Sequence, residues 1–82
     1  MAASPAYAQK KSCTIQAAST LGASVFDSEL NYLGNSTNGK AVTADFSQAF
    51  SGTIGDDPTW YTFIRVLDYD GGYTAQGNLV CL

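Results

Sequence analysis

The run Pro58-Thr59-Trp60-Tyr61-Thr62-Phe63-Ile64-Arg65-Val66-Leu67 decides how this chain is read. It holds the only Trp and a dense series of β-branched and aromatic residues, the side chains that suit a pleated, half-buried surface. Asp56-Asp57-Pro58 in front of it is a turn, because Pro disfavours a helical residue before it and Asp favours a turn start. Asp68-Tyr69-Asp70-Gly71-Gly72 behind it is a hairpin turn. The run is therefore expected to be the central strand of a small all-β barrel. Two registers fit it. One buries Trp60, Thr62, Ile64 and Val66 with Arg65 outside. The other buries Tyr61, Phe63 and Leu67 and turns Arg65 inward. A bulge would let both sets contribute.

Working outward, Tyr73 to Gln76 starts another strand, Gly77-Asn78 bends it, and Leu79 to Leu82 closes the chain. On the other side, Ala41 to Asp45 alternates around Val42 and Ala44, and Phe46 to Gly55 extends that strand and turns back. Asn38-Gly39 is a strong turn signal, since both residues accept positive φ. Tyr32-Leu33-Gly34 and Val25-Phe26 are brief apolar stretches, and Ser12 to Ala18 is a candidate first strand. Glu29 lies in the polar stretch Asp27 to Asn31 between them. No helical periodicity of useful length appears. Turn signals recur roughly every 10 residues, which argues for a sandwich or small barrel.

With 82 residues the chain is one domain, and a domain this short buries only about 60% of its unfolded surface. It needs a staple. Cys13 and Cys81 flank the foldable region and are expected to form one disulfide. A redox motif would need Cys-x-x-Cys, and a zinc site would need more ligands than two Cys and no His provide. Four Lys or Arg stand against seven Asp or Glu, so there is no basic footprint for nucleic acid. No apolar run is long enough to span a bilayer. Ala6-Tyr7-Ala8 matches the end of a secretory signal, so residues 1–10 are expected to be a signal remnant or disordered tail and 11–82 the barrel domain. Both the signal and the cysteines point to an oxidising compartment, periplasmic or secreted.

The order of these elements resembles the bacterial SH3-like domain. The matching pieces are Val25-Phe26-Asp27-Ser28, Tyr32-Leu33-Gly34, Asn38-Gly39-Lys40-Ala41-Val42-Thr43, Trp60-Tyr61-Thr62-Phe63, and Gly72-Tyr73 through Leu79. The chain looks most like small exported members with flanking cysteines, over residues 13–82. The resemblance implies an SH3-like barrel of five to seven short strands with its termini tied by the disulfide. It also implies a binding or scaffolding module for cell-wall peptides or protein partners, not an enzyme. The chain departs from the family where Asp27-Ser28-Glu29-Leu30 replaces the usual Arg-Ser-Gly-Pro loop, and where Phe46 to Asp57 and Asp68 to Gly72 run long. The first departure weakens any transfer of the usual ligand groove.

The candidate site is a surface groove, because about eight strands are needed before a barrel encloses even a small ligand. If the loops converge as the resemblance implies, Tyr32, Trp60, Tyr69 and Tyr73 stack on a ligand while Asp57 and Asp68 select a cationic group. For Trp60 and Tyr61 the competing reading is completion of a thin core; Tyr69, in a turn, is expected to be exposed. Asp68-x-Asp70-Gly71 is like the start of a calcium loop, but position 12 would be Leu79, not the required Glu. No metal site and no cofactor are expected. Glu29 and the Asp residues outside the Ala41 to Asp45 stretch lie in loop or turn signals, which suits solvation better than acid–base catalysis. The favoured partner is a peptide or protein, peptidoglycan among them. The alternative is a secreted inhibitor or immunity-type protein whose acidic Asp56-Asp57 and Asp68 to Asp70 turns plug a partner's active site. A purely structural assembly subunit is a third class.

Overall fold

The computed structural model describes residues 9–82. Seven strands follow in order: β1 (Lys10–Ile15), β2 (Ala23–Phe26), β3 (Tyr32–Ser36), β4 (Ala41–Gly52), β5 (Tyr61–Val66), β6 (Tyr73–Ala75) and β7 (Leu79–Cys81). One 3-10 turn, Gln76–Asn78, joins the last two. The protein is all-β, as its sequence predicts. All seven strands form one sheet in the order β3-β2-β6-β5-β4-β1-β7, and every neighbouring pair is antiparallel.

The signal-like segment at residues 1–8 lies outside the described residues. Lys10, assigned by sequence to the tail, opens β1 and pairs with Asp45, so the ordered fold begins before Ser12.

The sheet rolls around its core. Ala23 of β2 packs in one buried cluster with Cys13 and Ile15 of β1, although β6, β5 and β4 lie between those strands in the sheet. Val42, Ala44, Ile64 and Val66 complete that cluster. Cys13 and Cys81 face each other across the β1–β7 pair and are joined, S–S 2.04 Å, which ties the edge strand β7 to its neighbour β1. In the chain-entropy picture a closure over 68 residues restricts the unfolded chain by about 4 kcal/mol.

Both registers of the central strand are realised in part. Ile64 and Val66 enter the rolled core. Phe63 points to the other face and is equally buried, under Phe26 at 5.9 Å and Phe50 at 5.4 Å between ring centroids. Trp60 and Thr62, which the first register would bury, are exposed, and so is Leu67 from the second. Arg65 is half-buried. The irregularity that admits this lies on β4. Between the Asp45↔Arg65 and Phe50↔Phe63 pairs, β4 advances five residues while β5 advances two. The surplus forms a bulge that swings Phe50 over Phe63. Asp45, buried, holds the bulge by accepting from the Ser47 N–H at 3.0 Å, the Ser47 hydroxyl at 2.5 Å and the Gln48 amide at 2.9 Å.

Two turns differ from their sequence reading. At Asn38-Gly39 only Gly39 takes positive φ, 90°. Asn38 instead uses its side chain as a bridge, accepting from the Ala17 N–H at 2.7 Å and donating to the Ser19 carbonyl at 2.9 Å. In the β2–β3 turn Leu30 takes φ 65°, and its side chain reaches Gly52 at the end of β4. Asp27 fixes this turn by accepting from the Glu29 and Asn31 N–H groups, both at 2.9 Å.

Candidate functional site

The rolled sheet leaves an open cleft among the described residues, about 370 Å³ in volume. Its first wall is Ala17, Ala18 and Ser19, the chain just after β1, which the Asn38 bridge holds in place. Ser24 and Phe26 of β2 form a second wall, Ile54 and Tyr61 a third, and Ala75 and Asn78 line it from β6 and the 3-10 turn. Gly22 completes the lining where no side chain fits, since a Cβ there would lie 2.1 Å from the Ser36 carbonyl oxygen.

The lining is apolar and neutral, with a few placed polar groups. The Asn78 amide donates to the Thr74 hydroxyl at 3.1 Å, and that hydroxyl donates to the Ser24 carbonyl at 2.9 Å. The Asn78 carbonyl accepts the Gln16 N–H at 2.8 Å. These bonds fix the 3-10 turn against β1 and β2. At the Tyr61 wall the phenol donates to Asp57 Oδ2 at 2.9 Å, and Asp57 Oδ1 accepts the Thr59 N–H at 2.9 Å. Hydrogen bonds from Thr59, then from Tyr61, hold the Asp57 carboxyl below its ordinary value, so it is ionised at neutral pH. The same Asp57 raises the Tyr61 phenol above its ordinary value.

Of the residues singled out by sequence, Trp60 and Asp57 lie beside this wall, in the connection between β4 and β5. Trp60 is 73% exposed. Tyr32 is exposed at the start of β3, edge-on to Phe26 at 6.0 Å, with its hydroxyl donating to Asn35. Tyr69 and Tyr73 are used for packing instead. Tyr69 is half-buried against the core cluster, its hydroxyl over Gly34, contrary to the exposure expected of a turn residue. Tyr73 is half-buried, edge-on to Phe50 at 5.0 Å and 5.9 Å from the Arg65 guanidinium. Asp68 is spent on the fold, because its Oδ1 accepts the Thr43 N–H at 2.6 Å and ties the β5–β6 turn to β4.

The structure does not bring Trp60 and Tyr69 together. Trp60 precedes the first residue of β5, and Tyr69 turns back on the last, donating its N–H to the Val66 carbonyl. At the rise of an extended chain these positions are about 20 Å apart. The residues the sequence did not flag are Phe26, Ile54, Ala17, Ala18, Ala75 and Asn78. Small and aliphatic residues carry no chemical signature, and only the rolling of the sheet brings them together.

Among the described residues no three His, Cys, Asp or Glu side chains gather as a metal set, and no helix is long and apolar enough to cross a membrane. Comparison with protein-family models, curated proteins and solved structures finds no match.

Proposed function

We propose that this protein is an exported, non-catalytic binding module that docks an extended peptide segment in the cleft between Phe26, Ile54 and Tyr61. The carrying observation is the cleft itself: concave, neutral, mostly apolar, and fixed by hydrogen bonds at Asn78 and Asn38 rather than by mobile side chains. Sites with this balance of apolar wall and few polar groups suit ligands held by shape first and oriented by polar contacts second. The disulfide and the Ala6-Tyr7-Ala8 pattern support a periplasmic or secreted location. The resemblance to the bacterial SH3-like domain supports a cell-wall peptide or a protein partner as ligand, and a role without catalysis or nucleic acid.

The test is sedimentation of the oxidised protein with purified cell-wall sacculi, compared with Tyr61→Ala. Retention of the wild type and loss of retention in a variant with unchanged circular dichroism support the reading. Equal retention of the two proteins removes the cleft from it.

The inhibitor reading has one observation of its own. The connection between β4 and β5 carries Trp60 and two exposed carboxylates, Asp56 and Asp57, in a segment without Lys or Arg. Such a loop suits entry into a basic cleft of another protein. Partner binding that collapses with added salt and survives Tyr61→Ala favours it over the docking cleft.

A further inference from the structure

We infer that the Asp57–Tyr61 pair is a subsite for the ammonium group of a lysine-like side chain on the docked peptide. The inference rests on the docking reading above and names the chemistry that the cleft selects. None of the residues lining the cleft is charged. The charge fixed to its wall is Asp57, through the Tyr61 phenol. Asp57 Oδ1 accepts the Thr59 N–H and Oδ2 accepts the Tyr61 O–H, and the Thr59 hydroxyl is the third group that favours the ionised form. An ionised carboxylate has about four acceptor positions, so capacity remains on a carboxylate whose orientation is set in advance. A lysine side chain matches this layout: a four-carbon stem for the apolar wall of Phe26 and Ile54, and a compact ammonium with three donors for the rim. A ligand with an anionic end meets Asp57 and its neighbour Asp56 unfavourably, which gives the site its discrimination.

The test is a titration of the whole, oxidised, isotope-labelled protein, followed by amide NMR shifts. The probes are the peptide Ac-Ala-Lys-Ala-amide and its Nε-acetylated form, which keeps the stem and removes the charge. The expected result is that the free-amine peptide shifts the amides of Thr59 and Tyr61 and binds about tenfold more tightly than the acetylated one. Asp57→Asn abolishes that preference, while Asp70→Asn, an equal loss of charge in the β5–β6 turn, preserves it. Tyr61→Phe releases the carboxylate from its anchor and reduces the preference by about threefold, so the inference stays testable if Asp57→Asn fails to fold. Equal binding of both peptides with shifts confined to the cleft overturns the ammonium subsite and leaves the docking cleft standing. Absence of cleft shifts with either peptide overturns both.

Discussion

Phe63 and Ile64 are consecutive residues of β5 on opposite faces of the sheet, and each is sealed from solvent, at 0% and 1% exposure. A strand in a small domain ordinarily buries one face. Here the second face is covered locally: Phe26, Phe50 and Tyr61 surround the Phe63 ring, and Leu30 reaches over from the β2–β3 turn. Phe63 thus links β2, β4 and β5 outside the rolled core, while Ile64 does so inside it.

Truncation on either face should therefore be felt. Ile64→Val is expected to cost about 1 kcal/mol, and Phe63→Ala about 3–5 kcal/mol. The second figure is a large share of the stability of a domain this size. Urea unfolding measures both. A Phe63→Ala variant within 1 kcal/mol of wild type, a bound of about a third of that estimate, would show that the outer aromatic layer does not contribute to the fold.

Arg65 is the second node of β5. Its Nη1 donates to the carbonyls of Val66, Tyr69 (2.9 Å) and Gly72 (3.1 Å), gathering the whole β5–β6 turn onto one guanidinium. Arg65→Met keeps the apolar stem and removes the donors, so three carbonyls lose a partner. The expected loss is about 2 kcal/mol, the scale of hydrogen bonds to a charged group. Hydrogen exchange should rise at Tyr69 and Gly72, whose N–H groups close that turn. Unchanged exchange there would mean the turn stands without Arg65.

What the sequence made legible follows from the range of the interactions. The strand at Tyr61–Val66 is written in local β-branched and aromatic composition, and the Cys13–Cys81 bridge in the position of two residues. The burial of Phe63 is not local, because it depends on Phe50 arriving through a bulge on β4 and on Phe26 arriving from β2. Nothing around Asp45 marks it as the group that holds that bulge. Tyr69 reads as an exposed turn residue, yet Gly34 and Gly72 leave room for its ring to lie against the sheet. The cleft was hidden for a different reason. Most of its lining is Ala, Ser, Gly and Ile, which carry no chemical signature in a sequence, and Phe26, Tyr61 and Asn78 join them from separate elements.

Three carboxylates give the fold a pH dependence. Asp45 is held below the ordinary 3.8 chiefly by the Ser47 hydroxyl and then by Gln48, Asp27 by the Asn31 N–H and side chain, and Asp57 by Thr59 and Tyr61. A group with a lowered folded pKa binds fewer protons in the native than in the unfolded state, so stability rises with pH across that interval. Their contribution is complete above pH 3.8 and is lost as pH falls through the lower folded values. Denaturant midpoints measured from pH 6 to pH 2 should fall below pH 4, on the order of the unfolded carboxyl value. Asp45→Asn should make that fall shallower and lower the plateau, because its bulge partners lose the charge. An identical slope in the variant would remove Asp45 from the acid transition.

Gly22 and Gly39 separate two reasons for glycine. Both take positive φ, 94° and 90°. Nothing lies near a Cβ built on Gly39, whereas one on Gly22 would meet the Ser36 carbonyl oxygen at 2.1 Å. Gly39→Ala therefore carries only the backbone penalty, about 1–2 kcal/mol. Gly22→Ala carries that penalty and must also push apart the β2 entry and the end of β3. A backbone oxygen cannot move aside as a side chain can, so the expected loss exceeds that of Gly39→Ala by about 2 kcal/mol or prevents folding. Gly22 also lines the cleft, so a folded Gly22→Ala protein should show amide shifts at Ala18 and Ser24, which a folded Gly39→Ala protein should not. Equal destabilisation of the two variants would show that the Gly22–Ser36 approach relaxes freely, and that this wall of the cleft is softer than its hydrogen bonds imply.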